Sequence, residues 1–305
     1  CKMKSLLMLT RREFWEHRNT FVVLPALIVA VIFSLMLLGL AYTPPSVNFS
    51  VQSNIETNNK QEQYVYQREI TGSWATLLVG ELQATDSGTR SKYLSVVLRS
   101  IDSVLSVVLW LVTLSFLLNC LLTDRRDRSI LFWKSMPVSD QSTVLMKLFT
   151  ALIAVPLVYF GGIAILQVSW LVLLSLSTLG SKVPVWETVW APAQLLSHWL
   201  GYLALVLFNI LWSLPLWGWL LVVSAYSKSV QLVWALSVPI CVVLAERIVS
   251  DQGNLSDWII QRIMPTISLA DTRGQLFSFE MLSAVLVGVG LICLAIFLRE
   301  RAHEL

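Results

Sequence analysis

The chain has 305 residues, of which 56% are hydrophobic and 13% charged, with 13 tryptophans and a formal net charge of +3. A mean hydropathy of +0.69 excludes a soluble domain of this size and marks an integral membrane protein. The small positive charge is no argument for nucleic acid, because the basic residues are distributed as membrane orientation requires.

Residues 1–20 form a mildly amphipathic segment. At helical period Met3, Leu6, Leu7 and Phe14 fall on one side and Arg12, Glu13 and Glu16 opposite, which predicts an interfacial elbow helix turning into the membrane near Asn19-Thr20. Met3-Lys4 reads as a natural start, so Cys1-Lys2 is expected to be non-native. The apolar run beginning at Phe21 is too long for the core of a signal peptide.

Six apolar runs reach the roughly 20 residues needed to cross a hydrocarbon core. They are Phe21–Tyr42, Ser103–Leu122, Leu148–Leu176, Leu200–Tyr226, Val230–Val249 and Met281–Leu298. They lack the alternation of a membrane β-barrel and carry Pro25, Pro156, Pro215 and Pro239, so an all-α bundle occupying 21–305 is expected. The cytoplasmic side is assigned to Lys2, Lys4, Arg11, Arg12, Arg18, Arg125, Arg126, Arg128, Lys134, Lys147, Lys228, Arg299 and Arg301, which places both termini inside.

Between the spans, the polar stretch 43–92 is expected to be an external loop without a core of its own. At its far end Arg99 and Asp102, three apart on a helix, read as a structural ion pair rather than a substrate contact. Gly161-Gly162 predicts close helix contact. A second external loop, 180–198, carries Trp186 and Trp190 as interface anchors, and Trp199 follows it. His198 there is a lone imidazole, and a metal role is not expected of it. A further external segment, 251–280, contains Trp258 and Pro265 and reads as a helical hairpin dipping into the outer leaflet. Cys120, Cys241 and Cys293 lie in spans as small buried hydrophobes.

The cytoplasmic segment 124–147 interrupts the apolar pattern with TDRRDRSILFWKSMPVSDQSTVLMK, counted from Thr123. Its centre, Ile130-Leu131-Phe132-Trp133, is a hydrophobic tooth: each aromatic ring left in water exposes about 150–250 Å². A membrane surface or the groove of a soluble partner would receive it. Pro137 ends this stretch, and Ser139 is placed to cap the next helix.

No P-loop, HExxH, GxSxG or Cys/His cluster occurs, and no intramembrane carboxylate pair, so neither an energy source nor catalytic machinery is expected in this chain. The order of parts resembles the permease subunits of ABC type-2 exporters, similar to the type V ABC exporter architecture. Arg125, Asp127, Arg128, Ser129, Phe132, Trp133, Lys134 and Pro137 match that family's charged turn, coupling helix and Pro-Val-Ser exit, and Leu220–Ile240 is similar to its turn between fourth and fifth spans.

The resemblance implies a six-span half-transporter in a bacterial cytoplasmic membrane that pairs with a second permease chain. Two separate ATPase subunits would carry the ATP and Mg, and no cofactor is expected in this chain. The 130–133 helix would transmit their closure. Position in the second and fifth spans nominates Thr113, Phe116, Asn119, Trp234, Ser237 and Cys241 as path-lining, with helix packing the plainer explanation. The expected cargo is an amphipathic peptide, lipid, antibiotic or glycan precursor. Two alternatives remain: a force transmitter acting on an external partner protein through 43–92 and 251–280, and a secondary carrier without an ATPase.

Overall fold

The computed structural model describes residues 12–41, 47–57, 60–70, 86–126, 139–177, 184–227, 230–249, 254–263, 275 and 278–301. In chain order these form α1 (Leu24–Ala41), β1 (Val47–Thr57), β2 (Lys60–Ile70), α2 (Ser87–Arg126), α3 (Asp140–Phe149), α4 (Val155–Leu176) and α5 (Ala191–Ala193). Then follow α6 (Leu195–Trp212), α7 (Leu214–Tyr226), α8 (Gln231–Val249), α9 (Asn254–Ile263) and α10 (Phe279–Arg301). Six helical stretches among the described residues are long and apolar enough to cross a membrane: Asn19–Gly39, Ser87–Asp124, Asp140–Leu176, Trp186–Trp212, Gln231–Ile248 and Phe279–Arg301. The chain is thus a multi-pass helical membrane protein by length and composition.

Proline shapes these helices in a regular way. Three π-helical turns, Asn19–Val23, Thr150–Ala154 and Trp186–Trp190, each end two residues before a proline: Pro25, Pro156 and Pro192. Proline has no N–H and its ring crowds the carbonyl four residues back. Widening the preceding turn lets donors reach one residue further, as when Leu24 N–H donates to Asn19 O, Val155 N–H to Thr150 O and Ala191 N–H to Trp186 O.

Pro215 has a stronger effect. The expected continuous span Leu200–Tyr226 is divided at Ser213 into α6 and α7, although Ser213 N–H still donates to Asn209 O at 3.0 Å and Trp217 N–H to Ser213 O at 3.1 Å. The helix also begins earlier than expected. Residues 186–193 and 195–198, read from sequence as loop, are largely helical, with Gln194 in the left-handed region at φ 45°.

The stretch 43–92 holds the main departure from an all-helical chain. β1 and β2 pair antiparallel from Val47↔Ile70 to Thr57↔Lys60, and α2 starts at Ser87, inside the range read as loop.

The chain divides into two compact units. The first comprises Cys1–Pro25, Asp102–Gly161 and Ser197–Leu305. Its packing centre is α7 against α10, where a Cβ on Gly288 would lie 2.7 Å from Leu214 Cγ and 2.8 Å from its backbone carbon. One on Gly218 would lie 2.9 Å from Gly288 O. Only glycine permits this approach of two helices. Gly161, expected at such a contact, has no atom within 4 Å of where its Cβ would be.

The second unit comprises Ala26–Ile101 and Gly162–Leu196. Within it the fully buried Gln167 donates Nε2–H to Leu98 O at 3.2 Å, and Trp190 Nε1–H donates to Ser175 Oγ at 3.0 Å. A buried amide in a span is thereby satisfied by a neighbouring helix's carbonyl.

Candidate functional site

The segment expected to grip a partner, 127–138, lies outside the described residues, so the placements of Asp127, Arg128, Ser129, Ile130, Leu131, Phe132, Trp133, Lys134 and Pro137 do too. Arg125 is in the last turn of α2. Both anchor points of the segment are described. α2 delivers Asp124 at its end, and α3 begins with Asp140 after Ser139, whose Oγ accepts from Ser142 N–H at 3.3 Å as the expected N-cap. Asp140 in the first turn is favoured by the helix macrodipole.

From these anchors a chain of alternating charge runs through the first unit. Lys147, seven residues after Asp140 on the same helix face, places Nζ 2.9 Å from Glu13 Oε1 and 3.2 Å from Asp124 Oδ1. Arg299, in the last turn of α10, places Nη2 3.3 Å from Asp124 Oδ2 and Nε 3.2 Å from Asp140 Oδ1. The order is Glu13, Lys147, Asp124, Arg299, Asp140, so each cation bridges two carboxylates. Five side chains thereby tie the elbow, the end of α2, the start of α3 and the end of α10.

Burial gives this hub its weight. Lys147 is 2% exposed, Arg299 6% and Glu13 7%. An exposed ion pair contributes about 0–1 kcal/mol, whereas removing one partner from a buried one costs about 3–5 kcal/mol because an unpaired charge is left behind. The neighbouring Arg12–Glu16 contact, 3.7 Å long and with both side chains more than 40% exposed, belongs to the first class. The elbow's polar face is therefore split: Glu13, grouped from sequence with Arg12 and Glu16, turns inward.

An aromatic cluster fixes the elbow beneath the hub. His17 and Phe21 lie 5.2 Å and 5.1 Å from the Phe116 ring, and Phe14 lies 6.0 Å from Phe21. Phe116, Cys120 and Asp124 follow at four-residue spacing, so α2 presents an aromatic ring, a buried thiol and the shared carboxylate along one face. One turn away, Leu121 N–H donates to Ser224 Oγ at 3.0 Å and links α2 to α7.

Other predicted positions fall elsewhere. Asp102 receives His198 Nε2 at 2.7 Å, and one turn along both helices Ser106 Oγ and Tyr202 Oη are 3.1 Å apart. His198 thus has a carboxylate partner that the sequence reading did not give it, on the residue expected to serve Arg99. Arg99 itself is exposed. Among the nominated path residues, Thr113 is buried with Oγ1–H donating to Leu109 O, and Phe116 packs on the elbow. Asn119, Trp234 and Cys241 are exposed and Ser237 half-buried.

The segment 251–280 contains α9, held by Glu246 accepting from Leu255 N–H at 2.6 Å and Ser256 N–H at 2.5 Å. Arg262 at its end is 2% exposed, with its guanidinium 3.6 Å over Trp212 and 5.1 Å from Trp258, and it donates Nη2–H to Glu280 O at 3.1 Å. Two indole faces thus stand where a carboxylate would otherwise be needed.

Sequence reasoning used Lys147 and Arg299 only as orientation signals and missed their partners. The available signal was that both stand at the ends of apolar runs expected on the same side of the membrane as Asp124 and Asp140. No group of three or more His, Cys, Asp and Glu able to hold a metal ion occurs among the described residues. No family model matches the chain, and no curated protein or solved structure does.

Proposed function

We propose that this chain is the permease subunit of an ATP-binding cassette exporter of the type-2 family, carrying an amphipathic solute across a bacterial cytoplasmic membrane. Energy comes from two separate ATPase subunits, and a second permease chain completes the path. The observation that carries this reading is the hub: both ends of segment 127–138 are tied by ion pairs, through the half-buried carboxylates of Asp124 and Asp140, to the buried Arg299 of the sixth span. A segment pushed by a partner moves what its ends are fixed to. Displacement of 127–138 is then felt at once in the elbow and in the second, third and sixth spans, as a mechanical coupling requires.

The motif resemblance of Arg125 to Pro137 supports the nature of the partner, and the apolar surface left on the first and fifth spans supports a lipid-facing or paired role for them. Isolation of the tagged chain in mild detergent tests the reading. An ATPase subunit is expected to copurify with it and to be lost from Phe132→Ala/Trp133→Ala, while insertion of the bundle is unchanged; undiminished copurification with the double variant contradicts it.

A second reading is favoured by the β1–β2 hairpin. Two eleven-residue strands with no further strand paired to them among the described residues offer an edge to an external protein, which suits a force transmitter. ATPase activity that responds to candidate solutes favours export; activity that responds only to an external protein favours transmission.

A further inference from the structure

A cavity of about 270 Å³ opens between α7, α8 and α10, lined among others by Trp219, Val223, Tyr226, Trp234, Leu294 and Leu298. That is too little for a helix and suits a narrow chain. Its walls are aliphatic and aromatic. Trp219 is held in place by donating Nε1–H to Ala235 O at 3.1 Å, so one wall is fixed by hydrogen bonding.

Three features set its level and its preference for charge. Tyr226 ends α7, Trp234 lies in the first turn of α8, and Leu298 immediately precedes Arg299, so the cavity lies at the hub end of the spans. Tyr226 and Trp234 are 65% and 49% exposed and meet edge to face at 6.3 Å, the arrangement of aromatics at a headgroup boundary. Leu294, Leu298 and Arg301 follow at i, i+4 and i+7 on one face of α10, which puts a cation one turn beyond the lining, its guanidinium 4.3 Å over the Phe297 ring. Glu300 falls roughly opposite Leu298 around the helix.

We propose that this cavity holds one acyl chain of an anionic phospholipid of the inner leaflet, with Arg301 receiving the phosphate. The leaflet follows from the distribution of Lys and Arg; the site itself does not depend on the exporter reading. A lipid bound there wedges between α8 and the α7–α10 pair, within reach of the fifth span.

The test reconstitutes the whole chain in nanodiscs with phosphatidylglycerol or phosphatidylcholine carrying the same photoreactive acyl chain, followed by peptide mapping. Phosphatidylglycerol is expected to label the lining of α7, α8 and α10 several-fold more than phosphatidylcholine. Arg301→Gln, at an exposed position, is expected to bring the two lipids level. Val238→Trp, on the half-buried α8 wall, is expected to abolish labelling there while labelling of exposed Leu207 and Leu211 persists. Equal labelling by both lipids in the unaltered chain, a charge preference that survives Arg301→Gln, or undiminished labelling of Val238→Trp would each overturn the proposal.

Discussion

Replacing Lys147 by methionine keeps the length and apolar stem of the side chain and deletes its charge. The carboxylates of Glu13 and Asp124, 2.9 and 3.2 Å from the lost Nζ, then face each other with one cation fewer, in a site where Lys147 was 2% exposed. A buried pair broken from one side costs about 3–5 kcal/mol. Loss of an exposed partner, as in Glu16→Gln, costs under about 1 kcal/mol. In a thermal unfolding series in one detergent, Lys147→Met is expected to fall well below Glu16→Gln. Adding Glu13→Gln to Lys147→Met is expected to recover part of the loss, because it removes one of the stranded charges; the coupling in the double-mutant cycle measures this. Lys147→Met no worse than Glu16→Gln, or strictly additive effects of the two changes, would refute the reasoning.

The two close glycines give a contrast within one protein. Gly288→Ala, whose new methyl meets the Leu214 backbone at 2.8 Å, is expected to separate α7 from α10 at a cost of about 1–3 kcal/mol, while Gly161→Ala, with open space around it, is near neutral. Parallel thermal denaturation of the two variants checks this. For the His198–Asp102 contact, His198→Phe leaves the Asp102 carboxylate without its 2.7 Å neighbour, so it is expected to be rescued in part by Asp102→Asn. Comparing yields of folded protein by size-exclusion chromatography checks this, and no rescue by Asp102→Asn would contradict the pairing.

Much of this architecture was legible because its causes are local. Apolar runs of membrane length and Ser139 three residues before Ser142 act through the residues beside them. The prolines were visible in the sequence, but how each would be accommodated was not. Pro25, Pro156 and Pro192 are accommodated by π turns, while Pro215 divides its span at Ser213. The hub was hidden for the opposite reason. Glu13, Asp124, Asp140, Lys147 and Arg299 are up to 286 positions apart in sequence (299 less 13), and periodicity assigns a face but not the helix that will meet it. Glu13 misled for this reason, since a carboxylate on a polar face is buried once a lysine from another helix reaches it. Asp102 had a plausible partner at Arg99, three residues away, and a less visible one at His198, which only the packing of α2 with α6 brings to 2.7 Å.

The account as a whole rests on the segment between Asp124 and Asp140 standing in the cytosol, where an ATPase can take hold of it. A single cysteine at Ser135, in a chain otherwise free of cysteine, reports this directly through a membrane-impermeant maleimide. Labelling in inside-out vesicles and none in right-side-out vesicles is the predicted result. Labelling from the outer face alone would contradict it, and with it the coupling proposed for the hub.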